Sequence, residues 1–84
     1  MNENQRKSDR QYAANMARKY FSGQISKYQV LDSFPSVLND TKLQNLYKRI
    51  NNKPRISWFF GVSKAKYDLF MKETYEIIND LESS

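Results

Sequence analysis

The chain contains neither cysteine nor histidine. The first absence removes disulfides, thiolate metal ligands and thiolate nucleophiles. The second removes the commonest general base and the commonest metal-binding side chain. Glycine and proline are scarce, with two of each, so the sequence holds no Gly-rich phosphate cradle, no Gly-x-Ser-x-Gly elbow and no dinucleotide fingerprint. A helical domain this small rarely encloses a deep pocket. The expectation is a protein that is not an enzyme and uses no cofactor or metal. Long apolar runs are also missing. Trp58-Phe59-Phe60 is the longest, far short of a bilayer span. The polar start, Met1 to Lys7, carries no signal-peptide pattern, and neither end carries a lipidation motif. A cytoplasmic protein with no membrane partner is expected.

One absence is local. Between Thr41 and Tyr67 there is no acidic residue, while Lys42, Lys48, Arg49, Lys53, Arg55, Lys64 and Lys66 fall there. Residues 1–40 carry six basic and four acidic side chains, and residues 68–84 carry one and five. The formal net charge of +5 is therefore concentrated in the middle of the chain, and such a concentration attracts an anionic partner over roughly a Debye length of 8–10 Å. Its rival is compositional: nine Lys and eight Asn against five Arg suggest coding bias in an AT-rich genome.

Eighty-four residues make one domain, and four segments of it read as helix. In the first, Tyr12, Ala13, Met16, Ala17, Tyr20 and Phe21 share a face. Ser8 is the candidate N-cap, with Gln11 placed to close a capping box, and Gly23 is placed as a left-handed C-terminal residue. Residues 1–7 are expected to be a flexible tail and residues 8–82 a single helical domain. The second segment starts at Ser26, with Gln29 completing a capping box, and stops near Ser33 because Pro35 disfavours helix at Phe34. Asn39 or Asp40 caps the third, whose stripe is Leu43, Leu46, Tyr47 and Ile50. Pro54 ends it. Ser63 caps the last, whose stripe runs through Tyr67, Phe70, Met71, Thr74, Ile77, Ile78 and Leu81. Asp68–Lys72 and Lys72–Glu76 are the expected i,i+4 ion pairs there. The expected fold is all-α: a small four-helix domain with an extended aromatic connector, Arg55 to Val62, between helices 3 and 4.

Three features are candidates for function. Opposite the apolar stripe of the third helix lie Gln44, Asn45, Lys48, Arg49 and Asn52, side chains able to hold phosphates or read base edges. The competing reading is a solvated face. A helix-turn-helix fits poorly, since the connection Phe34 to Leu38 is long and lacks glycine. The second candidate is the run of Lys53 and Arg55 into Trp58, Phe59 and Phe60. Its aromatics are available to stack on bases or anchor a protein partner; alternatively they fill the core, with Phe59 the most exposed of the three. The third is the acidic face of the last helix, Asp68, Glu73, Glu76, Asp80 and Glu82. A solvated face is favoured over a cation site, which needs converging oxygens. That face also complements the basic middle, within one chain or between two copies.

The sequence also carries Gly-x-Ile-Ser at Gly23, Ile25 and Ser26, Phe34-Pro35, Leu46-Tyr47-x2-Ile50, Lys53-Pro54, Gly61-Val62-Ser63 and Ile77-Ile78-x2-Leu81. In this pattern it resembles a family of small uncharacterised bacterial helical proteins. The resemblance implies a free-standing one-domain protein and carries no activity and no site. Three roles remain open. The first is a non-catalytic protein–protein interaction or adaptor module with an unidentified protein partner. The second is a nucleic-acid-binding accessory protein using the basic 42–66 region. The third is a self-associating structural subunit. The residues assigned to partner binding are Gln44, Asn45, Lys48, Arg49, Asn52, Lys53, Arg55 and Phe59.

Overall fold

The computed structural model describes residues 3–55 and 61–84. Among them are four helices and no strand: α1 (Glu3–Phe21), α2 (Lys27–Asp32), α3 (Thr41–Asn51) and α4 (Lys64–Glu82). The all-α, four-helix fold expected from the periodicities is the fold observed. The middle of the aromatic connector, residues 56–60 with Trp58 and Phe59, lies outside the described residues. Its flanks meet where the Val62 amide donates to the Arg55 carbonyl at 2.9 Å.

Most caps fall where the sequence puts them. Ser26 and Gln29 form a reciprocal capping box on α2, Asp40 caps α3 and Ser63 caps α4. Gly23 has φ +85 and closes α1 in a Schellman turn: its amide donates to Tyr20 and that of Gln24 to Lys19. The start of α1 differs. The helix begins at Glu3 rather than at Ser8, so residues 3–7, read from the sequence as tail, are its opening turns. Glu3 favours the positive helix end, and the Gln5 amide bonds Asp9 one turn on at 2.9 Å. Gln11, expected in a capping box, instead donates to the Glu82 carbonyl at 3.5 Å.

The long helices α1 and α4 run antiparallel. Gln11 meets Glu82 at one end, and the Phe21 and Phe70 rings lie 6.4 Å apart at the other. α3 lies across both, parallel to α1 and antiparallel to α4, and α2 carries the chain between α1 and α3. The core is Ala13, Ala14 and Ala17, whose small side chains let helices approach α1, with Phe21, Val30, Leu43, Leu46, Ile50, Ile78 and Leu81. Thr74 is buried among them, and its hydroxyl donates to the Phe70 carbonyl at 2.7 Å, which meets its polar requirement.

Two stripe residues are exposed rather than packed against this core. Tyr12 is half exposed, and Ala14 takes the buried position next to it. Tyr47 stays at the rim of α3, its ring edge-on to Phe34 with centroids 5.4 Å apart. In both cases the ring edge and hydroxyl gain water at little apolar cost. The α4 ion pairs also differ from expectation: Asp68 bonds Lys64, one turn before it, at 2.8 Å, rather than Lys72. Lys64 sits in the unpaired first turn, where its ammonium gains more from a carboxylate partner than from the helix end.

Candidate functional site

α3 sorts its polar side chains into three directions. Leu43, Leu46 and Ile50 fix the buried side, and 100° per residue then sets the rest. Thr41, Asn45, Lys48 and Asn52 point outward, and all four are exposed. Lys42 and Arg49 flank towards α4. Gln44 flanks towards the α2–α3 connection, where its amide donates to the Val37 carbonyl at 3.0 Å. The eight candidate residues therefore do not form one surface.

On the α4 side, charge is consumed within the chain. Lys42 reaches Asp80 at 3.1 Å and also donates to the Ser84 hydroxyl at 3.1 Å. Arg49 lies 4.9 Å above the Phe70 ring and 3.7 Å from Glu73. Between these bridges runs a groove of about 350 Å³ with Asn45 and Glu76 on its walls and Ile77 and Leu81 at its base. The acidic face of α4 thus complements the basic middle within one chain, and Arg18 of α1 adds a contact to Glu82. Among the described residues, no cluster of three or more acidic side chains is arranged to hold a metal ion.

On the opposite flank, Lys53 sits over two rings, 5.0 Å from the centroid of Tyr20 and 5.9 Å from that of Phe21. Burial, and secondarily the charge of Tyr67, push the Tyr20 hydroxyl pKa up, so Tyr20 stays neutral under Lys53. Arg55 is exposed. Phe59 lies outside the described residues.

The fold adds something that linear charge counts do not contain. Because α1 and α3 are parallel and α4 opposes both, the C-terminal ends of α1 and α3 and the N-terminal end of α4 share one end of the bundle. α2 starts there too: the Lys27 ammonium donates to the Asn51 carbonyl at 3.3 Å. Residues 18–28, 48–55 and 61–68 converge at this end. They carry nine basic side chains and one carboxylate, Asp68, against five basic and eight acidic in the remainder of the chain. Arg18 and Arg49 are paired with Glu82 and Glu73 of α4, and Lys64 with Asp68. That leaves six cations without a carboxylate partner among the described residues: Lys19, Lys27, Lys48, Lys53, Arg55 and Lys66. The negative dipole ends of α1 and α3 and the positive ends of α2 and α4 lie here together and offset one another in part. Lys19, Lys27 and Tyr28 belong to this end, and none of them was assigned to partner binding from the sequence. No signal at the level of spacing reveals them, since their proximity to α3 depends on the direction taken by α2.

The other end holds a structural ion pair that spacing also conceals. Asp40 is 5% exposed. It accepts from Arg10 Nε at 3.0 Å and Nη2 at 3.3 Å, and from the amides of Lys42 and Leu43 at 3.1 and 3.2 Å. Burial alone would raise its pKa. The Arg10 guanidinium and the two amides outweigh that and hold the carboxyl below its ordinary value. Asn39, at φ 64, delivers the chain to this cap in a left-handed conformation that Asn tolerates.

No family model, curated protein or solved structure matches this chain. The likeness to small bacterial helical proteins therefore rests on the residues quoted for it alone. Among the described residues, no helix is long and apolar enough to cross a membrane.

Proposed function

We propose that this chain is a non-catalytic, cytosolic binding module whose partner is an anionic macromolecule docking on the basic end of the bundle. The observation that carries the reading is the charge division: six cations without a carboxylate partner among the described residues at one end, and a carboxylate excess elsewhere. Such a division steers a polyanion to one orientation. Lys48 and Arg55 support the reading further. Both are exposed, and neither has an ion-pair partner among the described residues. Of the sequence-derived candidates, Asn45, Lys48, Asn52 and Arg55 remain available to a partner, while Gln44, Arg49 and Lys53 serve the fold.

The test is a two-dimensional amide NMR titration with polyglutamate and polyuridylate as polyanions and polylysine as the opposite probe, at about 50 mM salt. Shifts confined to Lys19, Lys27, Lys48, Asn52, Arg55 and Lys66 on adding a polyanion are expected. Shifts spread evenly over the molecule, or a stronger response to polylysine, would overturn the reading.

A further inference from the structure

Tyr28 is 78% exposed, the most solvent-covered large apolar side chain among those described, and it makes no ring contact among the described residues. It directly follows Lys27, whose ammonium is fixed against the last turn of α3. Tyr28 lies in the first turn of α2, which begins at the basic end. Lys48 on α3, Arg55 beyond it and Lys66 in the first turn of α4 are exposed around the same end. The Arg55–Val62 backbone bond ties the last two regions together. Four cations from four chain segments, beside a free aromatic face, form an array suited to phosphates on one side and an unpaired base on the other.

An acidic protein is a poorer fit. A stable protein interface needs a contiguous apolar centre, and the other exposed apolar side chains among the described residues are dispersed: Tyr12 midway along α1, Leu38 at the far end before α3, Tyr47 on α3 against the Phe34 ring, and Leu69 on the outer face of α4. A duplex is also poorer, because its bases are stacked on each other and leave no face for Tyr28. The geometry points to single-stranded nucleic acid as the partner, with Tyr28 stacking on a base and Lys27, Lys48, Arg55 and Lys66 holding the backbone. The inference rests on the anionic-partner reading above and deepens it.

Fluorescence anisotropy with a labelled 12-residue oligouridylate, the same-length duplex and a labelled oligoglutamate tests it on the intact chain. The single strand is expected to bind most tightly. With about four phosphate contacts, its log affinity falls with log salt at a slope near −3. Tyr28→Ala should weaken the single strand roughly five- to a hundredfold, leave oligoglutamate unchanged and leave the circular dichroism spectrum unchanged. Tyr28→Trp should keep the affinity. Equal binding of oligoglutamate and oligouridylate, tighter binding of the duplex, or a silent Tyr28→Ala would overturn the inference while leaving the anionic-partner reading standing. No binding of any of the three at about 50 mM salt would overturn both.

Discussion

Lys42 and Arg49 on one flank of α3, and Lys48 and Arg55 on its outward side and beyond, carry the same charges within fourteen positions, yet the fold treats them differently. The first two lean into the seam with α4. There Asp80, Glu73 and the Phe70 ring absorb their charge. The other two face water with no carboxylate partner among the described residues. Net charge is therefore a poor guide to binding in a small helical protein. The helix rotation that packs the apolar stripe also decides which cations become internal glue and which remain available. A basic residue next to the stripe is within reach of the neighbouring helix, and one opposite the stripe is not.

The sharpest way to break this comparison is to attack charge that serves structure and charge that does not. Asp40→Ala should have the largest effect. It removes the cap of α3 and leaves Arg10, on α1, without its carboxylate. Cap loss costs about 0.5–2 kcal/mol, and an unpaired, mostly buried guanidinium adds to it, so a total of about 2–3 kcal/mol is expected in a urea melt. Lys48→Ala should stay within about 0.5 kcal/mol of the parent. The same carboxyl gives a pH signature. Its folded pKa lies below the unfolded value of about 4, so its contribution is complete above about pH 4 and is lost as pH falls further through the folded value. Melts between about pH 5 and 2.5 should show the parent losing more stability than Asp40→Asn.

Reversing the free cations comes next. Lys48→Glu with Arg55→Glu should cut polyanion affinity at least tenfold at about 50 mM salt and make the salt slope shallower by more than 1, with the thermal melt little changed. If the melting temperature falls instead, these side chains belong with the seam and the division between the two groups fails. Arg49→Ala gives the opposite pattern on a smaller scale. Losing the stacking on Phe70 and the 3.7 Å pair with Glu73 should cost about 1 kcal/mol, and polyanion binding should change less than threefold.

Much of the fold could be read from the chain because its signals are local. Ser26, Asp40 and Ser63 cap where side-chain chemistry says they will, and Gly23 adopts the left-handed turn that its lack of a Cβ permits. The misreadings share a cause. Ser8 has the right chemistry for a cap but lies inside a helix that Glu3 and the Gln5–Asp9 bond extend. Tyr12 and Tyr47 match the apolar period but have a polar tip that water satisfies. The candidate surface was less legible still. Gln44, Lys48 and Arg49 are within five positions of one another, yet they serve a loop carbonyl, solvent and α4 respectively. Lys27 and Tyr28 join the basic end only because α2 starts against the last turn of α3, and that depends on packing rather than on spacing.

The Lys42–Asp80 contact carries the smallest expected effect and divides the two groups most cleanly. Both side chains are substantially exposed, at 43% and 59%, so solvent screens the pair heavily, and a coupling of only about 0.2–0.5 kcal/mol is expected from a double-mutant cycle to Ala. The coupling should shrink further as salt rises from about 50 to 500 mM, because the pair is within reach of mobile ions. A parallel cycle between Lys48 and Asp80 should give zero at every salt concentration, since Lys48 is rotated about a third of a turn from Lys42, away from α4. Equal couplings in the two cycles would mean that the seam acts through a diffuse field rather than through contacts. Lys42 would then join the free cations, and Lys42→Glu would weaken polyanion binding as much as Lys48→Glu does. A measurable coupling for Lys42 alone would confine the free charge to the basic end.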